Sequence, residues 1–390
     1  MKFVNRFFLL FISVFFMQKA YTQSIPVGTV GDDYFRILQL QGKIDPKYSY
    51  STRPNFLTNK FPIDSFYHLI DSNLNTNIAL KSRFVEFRPM LVQLRSQYNS
   101  LHPYGWNDEG MIKAKGIQTM ARVGVYTRIG PLHIQFMPEH VNAENAPYEI
   151  SDEFGSIPKD RFQQNFLGQS SVRLNLSAVS IGFSNENIYW GPGQYGALIM
   201  SNNAPGFANI FIKTHRPAKT PIGNFEFELI GGRLESDSLL PYENFHLKSS
   251  PNLRNSWRYI NAYILSYNPK WLPGVYVGLI RSLQKYGPGI AEGKGSFTNK
   301  YIPIVTKTFQ KKNDWGDDTL SIDQVASFFV RIVFPKSKSE LYVEYGKNDY
   351  GERTRDYLMA PTHSVAHIVG FKKIVTLNKN KTTAKRVKVN

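Results

Sequence analysis

From Phe84 onward, apolar and polar side chains alternate with a period of two. Val172, Leu174 and Leu176, for example, alternate with Arg173 and Asn175. Successive side chains of a strand point to opposite faces, so this pattern predicts β-strands with one apolar and one polar face. Further segments of this kind lie at 225–229, 260–265 and 326–334, and near 117–129, 131–138, 207–215, 274–283, 339–346 and 362–375.

Two all-β architectures fit these strands, a membrane β-barrel and a secreted β-sandwich. Charged residues within the strands, such as Glu226, Glu228 and Arg331, suit a wet barrel lumen better than a sandwich core. Tyr and Trp residues cluster at strand ends, as the interfacial girdles of a barrel require. Short connections alternate with long ones such as 285–320. We therefore expect an antiparallel β-barrel over 81–375, although a soluble sandwich with a polar outer face would give a similar pattern.

The N-terminus predicts export. Lys2 and Arg6 precede an apolar run over 7–16, and small residues follow at 20–22. This order is typical of a secretory signal peptide, and a run of ten residues is too short to cross a bilayer as a helix. We expect 1–22 to be a cleaved signal peptide.

Residues 23–80 differ in pattern from the strands that follow and predict a small helical region. A helix is expected over 32–41, with Asp32 or Asp33 as its N-cap and Gly42 at its end. Its packed face is expected to contain the residues Tyr34, Ile37, Leu38 and Gln41.

The composition changes the picture mainly through its charge. The chain has 390 residues, a formal net charge of +17 and no cysteine, which excludes disulfides, thiolate metal sites and a thiol nucleophile. Seven cations lie after Phe371 and three before residue 23, so the rest of the chain carries a modest surplus. Export and this distribution argue against a nucleic-acid partner and favour a membrane surface or an acidic polymer.

No catalytic or metal motif emerges. Gly191, Gly193 and Gly196 match G-x-G-x-x-G, but Pro192 interrupts the turn and no acidic residue follows at the required distance. Asp108-Glu109 is expected to be a solvated loop pair, and the histidines lack metal-ligand spacing. We predict no enzyme activity, no metal and no cofactor.

The densest segment carries a resemblance to a known family. Trp190-Gly191-Pro192-Gly193, followed by 198–207 (LIMSNNAPGF), resembles the Wzi capsule-assembly family. The agreement runs from about residue 28 to 371 and follows the form found in Bacteroidetes-like proteins. It also includes the stretches 33–36, 40–42, 53–54, 225–235, 323–324, 328–335, 344–346, 348–349, His363 and 370–371.

This resemblance implies an outer-membrane β-barrel with a small periplasmic helical region at its N-terminus. It also implies a lectin-like, non-enzymatic role in assembling or attaching capsular or exported polysaccharide, which the positive charge suggests to be acidic. Outer-membrane lipid is the other expected partner. A diffusion porin or solute channel is the alternative function.

The sequence departs from the family at its end, because the basic tail 376–390 has no aromatic residue and makes a poor final barrel strand. We hypothesise that closing strands are missing after about residue 375. The alternative is a genuine periplasmic tail.

The candidate glycan contacts come from the same central segment. Aromatic faces, amides and guanidinium groups are the expected chemistry for sugar binding. The residues that supply them are Trp190, Tyr195, Asn202, Asn203 and Arg216. The alternative is a structural turn at the barrel rim, formed by Gly191, Pro192, Gly193, Pro205, Gly206 and Phe207 with Trp190 as an anchor. A second candidate for an acidic polymer is the loop 286–320, with Lys300, Tyr301, Lys307 and Trp315.

Overall fold

The computed structural model of the protein describes most of the predicted strand region and part of the region before it. The described residues are 24–56, 80–82, 84–90, 92–148, 161–235, 257–287, 297–302, 304, 323–348, 364–376 and 386–389. The predicted signal peptide over 1–22 lies outside the described residues, as do 57–79 of the predicted helical region.

Much of the chain forms one antiparallel sheet of fifteen strands, which we call the wall. From the strand Gly223–Leu234 onward each strand pairs with the next along the chain. In spatial order the strands are β4 (Leu80–Lys81), β5 (Val85–Pro89), β8 (Val125–Ile129), β9 (Leu132–Phe136), β12 (Ser171–Leu176), β13 (Val179–Ser184), β15 (Asn209–Thr214), β17 (Gly223–Leu234), β18 (Arg258–Pro269), β19 (Val275–Tyr286), β20 (Asp323–Phe334), β21 (Ser339–Asn348), β22 (Val365–Thr376) and β23 (Arg386–Val389), with β16 (Ala218–Thr220) paired to β17.

A second sheet has four strands: β11 (Phe162–Phe166), β10 (Glu139–Ala143), β7 (Ala114–Arg122) and β6 (Gln93–Tyr104). Each of them is joined by a short bend to a strand of the wall, β5 to β6, β7 to β8, β9 to β10 and β11 to β12. Gly124 and Gly168 lie at two of these bends. A Cβ at Gly124 would lie 2.7 Å from the carbonyl oxygen of Phe136, and one at Gly168 would lie 2.6 Å from that of Met137. Glycine therefore allows the close backbone approach that the bends need.

The two faces of the wall have opposite chemistry. Val172 and Leu174 are 47% and 43% exposed, whereas Arg173 between them is buried. The same holds around the sheet, with Ile181, Phe183, Ile210, Ile212, Leu265, Leu279, Phe328, Leu341 and Val343 exposed, and Lys213, Glu226, Glu228, Arg331, Glu340, Glu344 and Lys372 buried. An apolar outside and a charged inside are typical of a membrane barrel and not of a soluble sandwich.

The connections differ in length between the two ends of the wall. Tight turns at 130–131, 177–178, 270–274 and 335–338 lie at one end, which we call the short-turn end. The connections at the long-connection end include 235–257, 287–322 and 349–364. This agrees with the alternation predicted from the sequence and with the habit of membrane barrels, whose short turns face the periplasm.

Residues 24–56, which we call the plug, lie against the charged face of the wall. The plug contains β1 (Ser24–Ile25), α1 (Val30–Leu40), β2 (Thr52–Arg53) and β3 (Asn55–Phe56), with β1 paired to β3. Ser24 donates its backbone N–H to Gln135 Oε1 of β9 at 3.1 Å, and Asp33 pairs with Lys372 of β22 at 3.4 Å. In a flat sheet β9 and β22 would lie about 43 Å apart, beyond the reach of the chain between Ser24 and Asp33. The wall therefore curves around the plug.

The helix α1 differs from its prediction in its cap and in its buried face. Thr29 is the N-cap, and its hydroxyl accepts from the N–H of Asp32, so the prediction of Asp32 or Asp33 as the cap is wrong. Gly42 follows the helix with φ +70, as the predicted stop requires. The buried face contains Gly31, Asp32, Phe35, Arg36, Gln39 and Leu40 instead of the predicted set Tyr34, Ile37, Leu38 and Gln41. Polar side chains are buried here because the lumen around them is charged.

The described strands do not close the barrel, because β4 pairs only with β5 and β23 only with β22. The strand β23 belongs to the predicted basic tail, so pairing continues beyond residue 375. The boundaries of the predicted regions stay predictions. No helix in the described part of the chain is long and apolar enough to cross a membrane.

Candidate functional site

The central motif enters the lumen and pairs with the plug. Between β13 and β15, the strand β14 (Tyr189–Trp190) pairs with β2, and the Arg53 guanidinium lies 3.9 Å from the Tyr189 ring centroid. Trp190 is completely buried, and its indole N–H donates to Glu228 Oε2 at 2.8 Å. Its ring packs in a cluster with Met200, Phe211, Ile230, Ile264 and Phe329. A ring held in this way offers no open face to a sugar.

The backbone carbonyls of the Gly-Pro-Gly segment accept hydrogen bonds from two arginines of the plug. Arg36 donates to the Pro192 carbonyl at 2.7 Å, and Arg53 donates to that of Gly193 at 2.8 Å. Gly191 has φ +99, and a Cβ there would lie 2.6 Å from Glu344 Oε2. Glycine suits this positive φ. The motif lies inside the lumen and not at the rim, and its role as a structural turn stays a prediction.

The plug is held by a buried charge network; the sequence pattern indicated a lumen position for Arg331 but not its partners. Arg331 Nε lies 3.0 Å from Glu340 Oε2, and Arg36 Nε lies 2.8 Å from Glu340 Oε1. Arg331 also donates to the Ser49 carbonyl at 2.7 Å and to Gln39 Oε1 at 2.8 Å. Burial lowers the pKa of Arg36, but the combined effect of Glu340, Tyr342 and Asp32 outweighs it, so the net pKa is raised. The guanidinium therefore stays charged in the lumen.

A second cluster, which we call the aromatic–amide cluster, lies at the long-connection end of the wall. It joins the loop between β6 and β7 to the loop after β14 and contains Trp106, Asn107, Tyr195 and Asn203. Trp106 is 54% and Tyr195 is 58% exposed. The Tyr195 carbonyl accepts from the Trp106 indole N–H and from Asn107 Nδ2, the latter at 2.8 Å. Asn107 donates its backbone N–H to Asn203 Oδ1 at 2.7 Å.

The acidic pair beside this cluster is buried, so its prediction as a solvated loop pair is wrong. Asp108 accepts a hydrogen bond from Arg95, and Glu109 forms an ion pair with Arg122. Arg122 Nε also lies 2.8 Å from Glu139 Oε2. These ion pairs fix the loop that carries Trp106 onto the four-stranded sheet, because a buried carboxylate needs a close cation.

The predicted glycan residues fall into three environments. Tyr195 and Asn203 are exposed in the aromatic–amide cluster, whereas Trp190 and Asn202 are buried. Arg216 lies beyond the far end of β15, about 20 Å of strand away from the start of β15. The structure therefore brings two of the five together with Trp106 and Asn107. Trp106 could have been identified from the sequence, because it is a tryptophan within a polar loop.

The remaining motif residues support the loop. Pro205, Gly206 and Phe207 are half-buried, and Phe207 packs against the core cluster around Trp190. A Cβ at Gly206 would lie 1.9 Å from the Asn185 carbonyl oxygen, so only glycine fits this approach. The binding role predicted for the central segment stays a prediction.

The second predicted site is only partly described. Lys300 and Tyr301 lie on the short helix α2 (Phe297–Tyr301), and Lys307 and Trp315 lie outside the described residues. Tyr301 accepts from the Tyr259 hydroxyl at 2.6 Å through its carbonyl oxygen. Within the residues that the structure describes, no group of three or more His, Asp or Glu side chains could hold a metal ion.

Comparison with known proteins identifies the family. The family model "Capsule assembly protein Wzi" matches residues 96–382. The chain belongs to the Wzi capsule assembly family. This confirms the predicted family and supports capsule assembly over the porin alternative. No curated protein matches the chain by sequence.

A solved structure has the same fold. It is Wzi of Escherichia coli, described as an outer membrane protein involved in group 1 capsule assembly and as a carbohydrate-binding β-barrel. The TM-score is 0.53 at 11% sequence identity, and the match covers 90% of this chain and 68% of the other. The predicted all-β antiparallel barrel is confirmed by this likeness and by the strands described above.

Proposed function

We propose that the protein is a non-enzymatic outer-membrane barrel that helps to assemble or attach capsular or exported polysaccharide at the cell surface. The observation that carries this proposal is the aromatic–amide cluster. The family supports it, and so does the carbohydrate-binding description of the Escherichia coli protein with the same fold.

The chemistry of the cluster suits a sugar. Exposed aromatic rings provide apolar faces for the C–H side of a pyranose, and amides provide donors and acceptors for its hydroxyls. Trp106 and Tyr195 are joined through the indole N–H, and Asn107 and Asn203 lie beside them. Because short turns face the periplasm in membrane barrels, the long-connection end that carries the cluster faces the cell exterior.

The plug inside the lumen argues against the porin alternative. The plug crosses from β9 to β22 and is held by Arg36, Arg331 and Glu340. A diffusion channel needs an open aqueous path through the barrel. An acidic polymer and outer-membrane lipid remain our proposed partners, in keeping with the modest surplus of cations that the chain carries outside its termini.

Binding of the purified polysaccharide by single-residue variants tests the proposal. We expect Trp106→Ala and Tyr195→Ala each to weaken binding by about 3- to 10-fold, the usual range for one aromatic contact. Trp271→Ala is the matched control, since Trp271 is 65% exposed, somewhat more than the cluster residues, but lies in a turn at the short-turn end. Melting temperatures of all three variants check the fold.

Unchanged binding by both cluster variants would contradict the assignment of the site. Absence of binding by the wild-type protein to any exported polysaccharide of its own cell would contradict the function itself.

A further inference from the structure

Part of the longest connection folds over the outside of the wall instead of over the lumen. Along β18, Leu265 faces out and is exposed, so Tyr259, Asn261 and Tyr263 face out as well because side chains alternate. Tyr259 donates its hydroxyl to the Tyr301 carbonyl at 2.6 Å, and Asn261 Oδ1 accepts from the N–H of Ile304 at 3.1 Å. The segment that begins with α2 is therefore anchored on the outward face.

This segment lies at the level of a membrane interface. Phe225 and Tyr267 stack at 4.7 Å near the short-turn end, and Tyr259 and Tyr301 meet edge to face at 6.1 Å near the other end. Exposed leucines lie between the two aromatic groups. The strand from Tyr267 to Tyr259 rises about 27 Å, or about 20 Å along the membrane normal after tilt, close to the height of a barrel's apolar band.

Cations lie at this level on β19, the strand next to β18, and on α2 itself. Arg281 and Lys285 of β19 face outward, since they alternate with the inward-facing residues of that strand and pair with Tyr263 and Tyr259. Lys300 lies on α2. Arg281 donates to Gln324 Oε1 at 2.8 Å. Among the described outward residues of β18, β19 and β20 at this level, none is acidic: they are Tyr259, Asn261, Tyr263, Arg281, Leu283, Lys285, Gln324 and Ala326.

We propose that Arg281, Lys285, Lys300 and the ring of Phe297, which we call the outer-rim patch, bind the phosphate-bearing head group of an outer-leaflet lipid. Guanidinium and ammonium groups are the usual partners of phosphate. Phe297 is 69% exposed, and its ring centroid lies 5.0 Å from that of Tyr301. Its ring can therefore enter the acyl boundary while the cations contact the head group. The lipid thereby fixes the height of the barrel and of its external loops in the membrane.

Binding to mixed detergent micelles tests the proposal. Full-length protein is titrated with micelles that contain phosphatidic acid, or diacylglycerol as the uncharged counterpart. We expect selective binding of phosphatidic acid, and a loss on the order of 100-fold in the triple variant Arg281→Gln, Lys285→Gln, Lys300→Gln. The control is Lys219→Gln, Lys270→Gln, Lys336→Gln, which removes the same charge from exposed positions at the short-turn end.

Three results would overturn the proposal: equal binding of the two lipids, equal loss in the control variant, or unchanged binding by the triple variant. Glycerol phosphate and alginate serve as soluble competitors. Competition by glycerol phosphate, at the same concentration as the lipid, would show that the patch binds free phosphate. Competition by alginate would show that the patch binds polysaccharide. Phe297→Ala should weaken lipid binding without changing the melting temperature.

Discussion

Replacing Glu340 by Gln removes a carboxylate that both Arg36 and Arg331 contact in the lumen. Oε1 of Glu340 lies 2.8 Å from Arg36 Nε, and Oε2 lies 3.0 Å from Arg331 Nε. Glutamine has nearly the same shape but no charge, and its amide hydrogens would face a guanidinium donor. The plug would then lie against two arginines without this shared counter-charge.

The free-energy cost of this substitution follows from the burial of these groups. The side chains of Glu340 and Arg331 are not exposed, and that of Arg36 is 4% exposed. Removing one partner of a buried pair costs about 3–5 kcal/mol, because the remaining charge is left in a poorly solvated site. The matched control is Glu235→Gln, since Glu235 pairs with Arg233 at the surface and such a pair contributes about 0–1 kcal/mol.

Two measurements check this prediction. Urea unfolding in micelles should show a lower free energy of unfolding for Glu340→Gln than for Glu235→Gln. Hydrogen exchange of the α1 amides should become faster by on the order of 100-fold in the first variant only, because the plug opens locally. The same α1 exchange rate in both variants would refute the reasoning that this network holds the plug.

Two further predictions concern the central motif. Gly191→Ala should lower the free energy of unfolding by about 1–3 kcal/mol, because φ is +99 and the new Cβ would meet Glu344 Oε2 at 2.6 Å. Gly130→Ala, with φ +58 and nothing within 4 Å, is the control and should cost less in the same urea titration. Trp190→Phe should lower the melting temperature, with a cost of about 1–3 kcal/mol, because Glu228 loses its indole donor. An unchanged melting temperature would contradict the anchoring role of Trp190.

The strands could be predicted because a barrel wall imposes a strict rule on each residue. Arg173 must face the lumen when Val172 and Leu174 face lipid, and this alternation is visible in the sequence without any knowledge of the partners. Side-chain period and turn residues are local properties, so the sequence alone carries them.

The plug could not be predicted in the same way. Pattern reasoning buries the apolar side of a helix, whereas α1 buries Asp32, Arg36 and Gln39. Arg36 and Gln39 pair with groups far along the chain, Glu340 and Arg331, so no local signal marks them. A helix inside a charged lumen buries polar side chains, because the lumen provides partners for them.

The site was predicted only in part for a related reason. Tyr195 and Asn203 belong to the motif that drew attention, but their partners Trp106 and Asn107 lie about ninety residues earlier. Trp190 has the right chemistry for a sugar, and its burial follows from packing that only the fold determines. Residue type therefore indicated the chemistry, and the topology decided which residues meet.

The most direct test of the proposed function is the amount of polysaccharide retained on cells that lack the protein. Deletion of the gene should release the capsule into the medium, and the wild-type gene or the Trp271→Ala variant should restore it. A gene carrying Trp106→Ala and Tyr195→Ala together should restore protein in the outer membrane but not cell-bound capsule. Full retention of capsule in the deletion strain would contradict the central claim.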